Sequence, residues 1–131
     1  MEQKNKKELE KILIADDEII YRNILAQALF ENYEIEFASN ADEEIEKSKQ
    51  NKYLLILTDN QMNDGYGNSG LYAIEQIRKH DKNTPIYLHS GGLTNKIKTK
   101  ALSLGANDVF KKIDSFMKLD KILTELKGGE K

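Results

Sequence analysis

The sequence predicts an α/β domain built on an open parallel sheet with helices on both faces. Short, unbroken runs of branched aliphatic residues, Ile12-Leu13-Ile14-Ala15 and Leu54-Leu55-Ile56-Leu57 among them, read as strands buried on both faces. Between such runs, apolar residues return at helical spacing. The two kinds of segment alternate through five βα units with short connections, which is the pattern of a parallel sheet wrapped by helices.

In chain order, Ile12 to Ala15 is the first strand, and Ile20, Ile24, Ala28 and Leu29 pattern a helix as far as Phe30. Ile35 to Ala38 is the second strand. Asn40 is placed to cap a second helix through about Lys49, with Glu43 completing a capping box. Tyr53 to Thr58 is the third strand; a polar, Gly-rich loop follows, and Leu71, Ile74 and Ile77 mark a third helix. Pro85 opens the fourth strand, Ile86 to His89, where its missing N–H costs no ladder bond. Ile97, Ala101 and Leu104 pattern a fourth helix that Gly105 stops. Asp108 to Lys111 is a fifth strand, and Ser115 caps a last helix with the stripe Phe116, Leu119, Leu123 and Leu126, ending at Gly128-Gly129. Residues 1–10 and 128–131 are expected to be flexible tails around a domain over 11–127.

Composition narrows the function classes. At 131 residues the chain is one ordinary domain with room for a real core. A net charge of −2 from 20 basic and 22 acidic residues gives no global field toward nucleic acid or anionic lipid. The absence of cysteine excludes disulfides, thiolate metal sites and cysteine nucleophiles, and fits a reducing compartment. The charged first ten residues are neither a signal peptide nor a membrane span. A soluble, cytoplasmic domain is expected.

Two strands end abruptly in acids, at Asp16-Asp17 and at Asp59. Chemistry in open α/β sheets collects just outside the carboxyl ends of the strands, so these three carboxylates are expected to converge. Unpaired, they would repel and raise one another's pKa. A hard divalent cation, Mg²⁺ (or Mn²⁺), would hold them together, since it suits a few carboxylates with waters and a phosphate. Ser90 ends the fourth strand and Lys112 follows the fifth. Hydroxyl, ammonium and metal together fit a phosphoryl site, in which one carboxylate can itself be the nucleophile.

Four segments carry a family resemblance: Leu13-Ile14-Ala15-Asp16-Asp17-Glu18, Leu57-Thr58-Asp59-Asn60-Gln61-Met62, Pro85-Ile86-Tyr87-Leu88-His89-Ser90-Gly91 and Gly105-Ala106-Asn107-Asp108-Val109-Phe110-Lys111-Lys112. In this order and at strand ends, they make the chain from about Lys11 to Leu126 resemble the receiver domain of two-component response regulators. The resemblance implies a flavodoxin-like sheet of order 2-1-3-4-5. It implies Asp59 as phospho-acceptor, Asp17, Asp59 and the carbonyl of Gln61 as direct Mg²⁺ ligands, and Asp16 acting through a metal-bound water. Ser90 matches the switch hydroxyl and Lys112 the lysine that pairs with the phosphoryl group. The implied partners are a sensor histidine kinase or histidine phosphotransfer protein, and a downstream protein contacted through the fourth helix, fifth strand and fifth helix. The module would stand alone, take part in its own phosphorylation and dephosphorylation without turnover of other substrates, and bind no DNA directly, since no basic DNA-reading segment follows the last helix.

The sequence departs from the family at four places. Ile113 replaces the usual proline after the lysine, so a trans bond and a shifted loop are expected, because a non-proline cis bond costs roughly 3–4 kcal/mol. Val109 falls where the switch aromatic usually stands, Phe110 reads as core, and Lys111 points to the opposite face. Asn63 replaces a customary proline after Met62, and the loop from Asn63 to Gly70 is about three residues longer than the common pattern. His89 reads as a satisfied core histidine and His80 as a helix C-terminal residue; Lys96, Lys98 and Lys100 read as a solvated face. Two rivals remain: a pseudo-receiver acting as a phosphorylation-independent interaction module, and an aspartyl phosphatase. The phosphatase would carry an acid where Gln61 stands.

Overall fold

The computed structural model of the protein describes residues 9–29 and 31–128. Five parallel strands, β1 (Lys11–Ala15), β2 (Glu34–Ala38), β3 (Leu55–Asp59), β4 (Ile86–Ser90) and β5 (Asp108–Lys111), alternate with α1 (Ile19–Leu29), α2 (Ala41–Gln50), α3 (Ser69–Ile77), α4 (Asn95–Leu104) and α5 (Ser115–Gly128). The strand order is β2-β1-β3-β4-β5. The expected tails fall almost wholly outside the described residues, as does Phe30.

Period-two alternation along the strands divides the core in two. Leu13, Ala15, Ile56, Leu88 and Val109 face one side and pack with Ala41 of α2, Ala73, Ile74 and Ile77 of α3 and Ala101 of α4. Ile12, Ile14, Leu55, Leu57 and Phe110 face the other and pack with Leu25 and Leu29 of α1 and Leu119 and Leu123 of α5. Both faces are therefore covered, as unbroken apolar strands require. Each fully buried Ile or Leu contributes roughly 1.5–3 kcal/mol of transfer free energy, so the sheet carries much of the hydrophobic stabilisation.

Most boundaries match the sequence reading, with instructive exceptions. β3 begins at Leu55 rather than Tyr53 and runs on to Asp59, while β4 includes Ser90. Asp59 and Ser90 thus belong to the sheet, held by ladder pairing of Asp59 with His89 and of Ser90 with Lys111. At α2, Asn40 Oδ1 accepts from the Glu43 amide at 2.8 Å, but Glu43 Oε1 accepts from the Ser39 amide instead of that of Asn40. Gly105 does stop α4, at φ 115°. Ser115 does not cap α5 with its side chain: a single 3-10 turn, Lys112–Asp114, leads into the helix, and the buried Ser115 hydroxyl turns inward to His89 Nδ1 at 2.6 Å.

Candidate functional site

The strand register brings the carboxyl ends of β1, β3, β4 and β5 to one edge. Asp16 directly follows β1, fully buried, with its amide donating to Ala38 O at 2.9 Å. Its Oδ1 accepts from the Glu18 amide at 2.9 Å, folding the chain into the turn that starts α1. Asp59 closes β3 and is 4% exposed. Oxygens of Asp16, Asp17 and Asp59 all lie within 4.8 Å of one another.

Lys112 spans this acid cluster. Its Nζ lies 2.9 Å from Asp16 Oδ2, 3.4 Å from Asp59 Oδ2 and 2.5 Å from Glu18 Oε1, and 4.6 Å above the Tyr21 ring. Ile113 is 87% exposed, and no peptide bond among the described residues is cis. The lysine still reaches the acids, because Tyr21 Oη donates to Lys112 O at 2.8 Å and so anchors the turn where proline would have stiffened it. Lys111 is exposed, and Val109 and Phe110 are both core residues on opposite faces.

Electrostatics follow from burial and these partners. Burial pushes the Asp16 carboxyl up, but the His89 ring, the Glu18 amide and the Lys112 ammonium outweigh it and hold the group below the ordinary carboxylate range. Asp59 goes the other way: burial and then the charge of Asp16 raise it, and Lys112, His89 and the Gln61 amide offset this incompletely. Burial lowers Lys112, but bonds to Glu18 and Asp16 and the charge of Asp59 override it and hold the ammonium above its ordinary value. With Asp16, Asp17 and Asp59 ionised against the single ammonium of Lys112, the cluster is two positive charges short of neutral.

A cation fits that deficit. Asp16 Oδ2 is buried yet accepts no well-directed hydrogen bond, although Lys112 and His89 Nε2 stand 2.9 and 3.4 Å away. An all-oxygen donor set of three clustered carboxylates with a net negative charge suits a hard divalent cation. Asp16, Asp17 and Asp59 can hold it, and Gln61 follows close by, with its amide 3.4 Å from Asp59 Oδ1.

Ser90 is at the same edge, 2% exposed, with its Oγ accepting from the Gly92 amide at 3.3 Å rather than bonding the acids. His89 is the buried core residue the sequence suggests, and it also borders the acids. Its Nδ1 pairs with Ser115 at 2.6 Å, its Nε2 faces Asp16 Oδ2 at 3.4 Å, and Tyr21 meets the ring edge-on at 5.4 Å. The sequence reading missed the contacts that Tyr21 and His89 make at this edge. For Tyr21 and His89 the available signal was their helical or strand phase relative to the acids.

A 2-1-3-4-5 parallel sheet with a carboxylate cluster and a lysine at its strand ends defines a receiver-type α/β module. The chain belongs to the response regulator receiver domain family, whose profile it matches over residues 12–124. It is 36% identical over 99 residues to the transcriptional regulatory protein ResD of Bacillus subtilis (strain 168), an alignment covering 75% of this chain and 40% of ResD. The chain therefore corresponds to less than half of that relative. Among solved structures, it superposes on the response regulator TrrA of Thermotoga maritima in complex with Mg²⁺-BeF with a TM-score of 0.75 and 30% identity, covering 90% of this chain and 99% of that one. The receiver domain of Saccharomyces cerevisiae Ssk1, solved with the histidine phosphotransfer protein Ypd1, matches at 0.77 and 27% identity, over 90% and 88% of the two chains. No helix among the described residues is long and apolar enough to cross a membrane.

Proposed function

We propose that the protein is a Mg²⁺-dependent phospho-acceptor of a two-component system or phosphorelay, and that Asp59 is the residue phosphorylated. The observation that carries this reading is the convergence of Asp59 with Asp16, Asp17 and Lys112 at the strand ends. An Asp59 carboxylate oxygen attacks the phosphorus of a donor phosphohistidine. The N–P bond breaks, its electron pair returns to the imidazole, which takes up a proton, and an acyl phosphate forms. Mg²⁺ supplies neutralisation of the transferring oxygens. Lys112 pairs with the phosphoryl group, and Ser90 exchanges its bond from Gly92 for one to a phosphoryl oxygen, biasing a two-state equilibrium. The protein is then a signalling acceptor in the cytoplasm and turns over no other substrate.

The donor side of this reading is supported by exposed apolar residues beside the acids. Ile19, Ile20 and Ile24 on α1 and Ile113, Phe116 and Met117 after β5 are all exposed. The two segments meet through Tyr21 and Lys112. A phosphohistidine donor reaching Asp59 must cover this rim. Output through α4, β5 and α5 is supported by Lys96, Lys98 and Lys100, exposed on a helix with no acidic residue. Val109, buried where a switch aromatic would stand, favours the second reading, a phosphorylation-independent interaction module. Transfer from a phosphorylated histidine phosphotransfer protein decides between them. The acceptor reading expects transfer to wild type and none to Asp59→Asn; no transfer to wild type from the cognate donor refutes it.

A further inference from the structure

Asp17 is the least tethered of the three acids. It lies in the turn between β1 and α1, partly exposed, and its side chain has one hydrogen-bond partner among the described residues: Asn63 Nδ2, which donates to Asp17 Oδ2 at 3.0 Å. Asn63 is also the one non-glycine described residue in the left-handed region, at φ 53°, which asparagine tolerates better than most residues. Its neighbours are pinned on both sides. The amide of the buried Met62 donates to Ser69 Oγ at 3.0 Å. Asp64 accepts from the Ala41 amide at the start of α2 at 2.8 Å, from Ser69 Oγ at 2.7 Å and from the Tyr66 amide at 3.2 Å. Asn63 is therefore held between two anchors with its side-chain amide donating to a carboxylate of the acid cluster.

We propose that Asn63 is a positioning and cation-specificity residue for the acid cluster: it occupies one Asp17 oxygen and leaves the other to ligate in monodentate fashion. Outer partners of this kind orient the ligands they touch. Monodentate carboxylates suit the small octahedral Mg²⁺, whereas Ca²⁺ readily takes a carboxylate through both oxygens. The loop between β3 and α3 then sets how strongly the site prefers Mg²⁺. This inference rests on the metal-dependent reading above.

The test is calorimetric titration of the full chain with MgCl₂ and separately with CaCl₂, for wild type, Asn63→Gly and Asn63→Asp. Glycine keeps the left-handed backbone and removes the donor; aspartate keeps shape and replaces the donor with an acceptor. Asn63→Gly is expected to weaken Mg²⁺ binding by about three- to tenfold, toward the low end for outer partners because the bond is exposed. Ca²⁺ binding should change less. In both variants the ratio of Mg²⁺ to Ca²⁺ affinity falls. An unchanged or tighter Mg²⁺ affinity in Asn63→Gly, or an equal loss for both cations, overturns the role of Asn63 alone, while wild type that binds no Mg²⁺ overturns it together with the metal-dependent reading.

Discussion

Glu44 offers the sharpest quantitative test of how burial is managed beside β3. It is fully buried on α2, its Oε1 accepts from Thr58 Oγ1 at 2.9 Å, one residue before Asp59, and its Oε2 has no hydrogen-bond partner. Burial raises its pKa from 4.5 to about 8; the Thr58 hydroxyl opposes the shift, and the charges of Asp64 and Asp59 add to it. Glu44 is therefore neutral at pH 7 in the folded protein and ionised in the unfolded chain. Because the folded-state value is the higher one, the stabilisation from this proton is complete below the unfolded pKa and is lost as pH rises toward about 8. At 1.36 kcal/mol per unit, the loss between about pH 4.5 and pH 7 is on the order of 3 kcal/mol. Glu44→Gln keeps the acceptor for Thr58 and removes the titration. Urea denaturation of both proteins in EDTA, at a series of pH values, gives the difference in unfolding free energy, from which the other titrating groups cancel. The variant should gain on wild type steadily from about pH 4.5 and stop gaining above about pH 8. A difference that does not change with pH would show that Glu44 is ionised in the fold and refute the reasoning.

Two further substitutions probe the site's support. Lys112→Ala leaves Asp16 and Asp59 buried without their ammonium, so the metal-free protein should lose about 2 kcal/mol in chemical denaturation, and Mg²⁺ should restore more stability to the variant than it adds to wild type; an unchanged metal-free stability would mean the acids do not depend on this lysine. Gly70→Ala builds a Cβ 3.0 Å from the Asp59 carbonyl oxygen and 2.9 Å from Leu88 Cδ1, an overpacking of backbone against backbone that should cost about 1–3 kcal/mol. A loss under about 0.5 kcal/mol in the same assay would show that the end of β3 yields freely.

Much of this was legible in the sequence because parallel strands buried on both faces leave unbroken aliphatic runs, and the acids that end those runs mark the functional edge. Strand bounds were less legible: Tyr53 reads as strand yet lies before β3, while the polar Asp59 belongs to β3 through its ladder pairing with His89. Contacts between distant elements left no local trace. Nothing beside Ile113 reveals that Tyr21 anchors the turn carrying Lys112, and Ser115 has the position of a helix cap while its hydroxyl serves His89. In Asn63, the absence of proline was visible, but the bond to Asp17 depends on a left-handed backbone that sequence pattern does not specify.

The most direct test of the central claim is the intact mass of the protein after incubation with acetyl phosphate and Mg²⁺, wild type beside Asp59→Asn. One added phosphoryl group on wild type, absent with EDTA and absent in the variant, is the predicted result. A folded wild type that gains no mass under a rapid quench, or an adduct that persists in Asp59→Asn, would contradict the account.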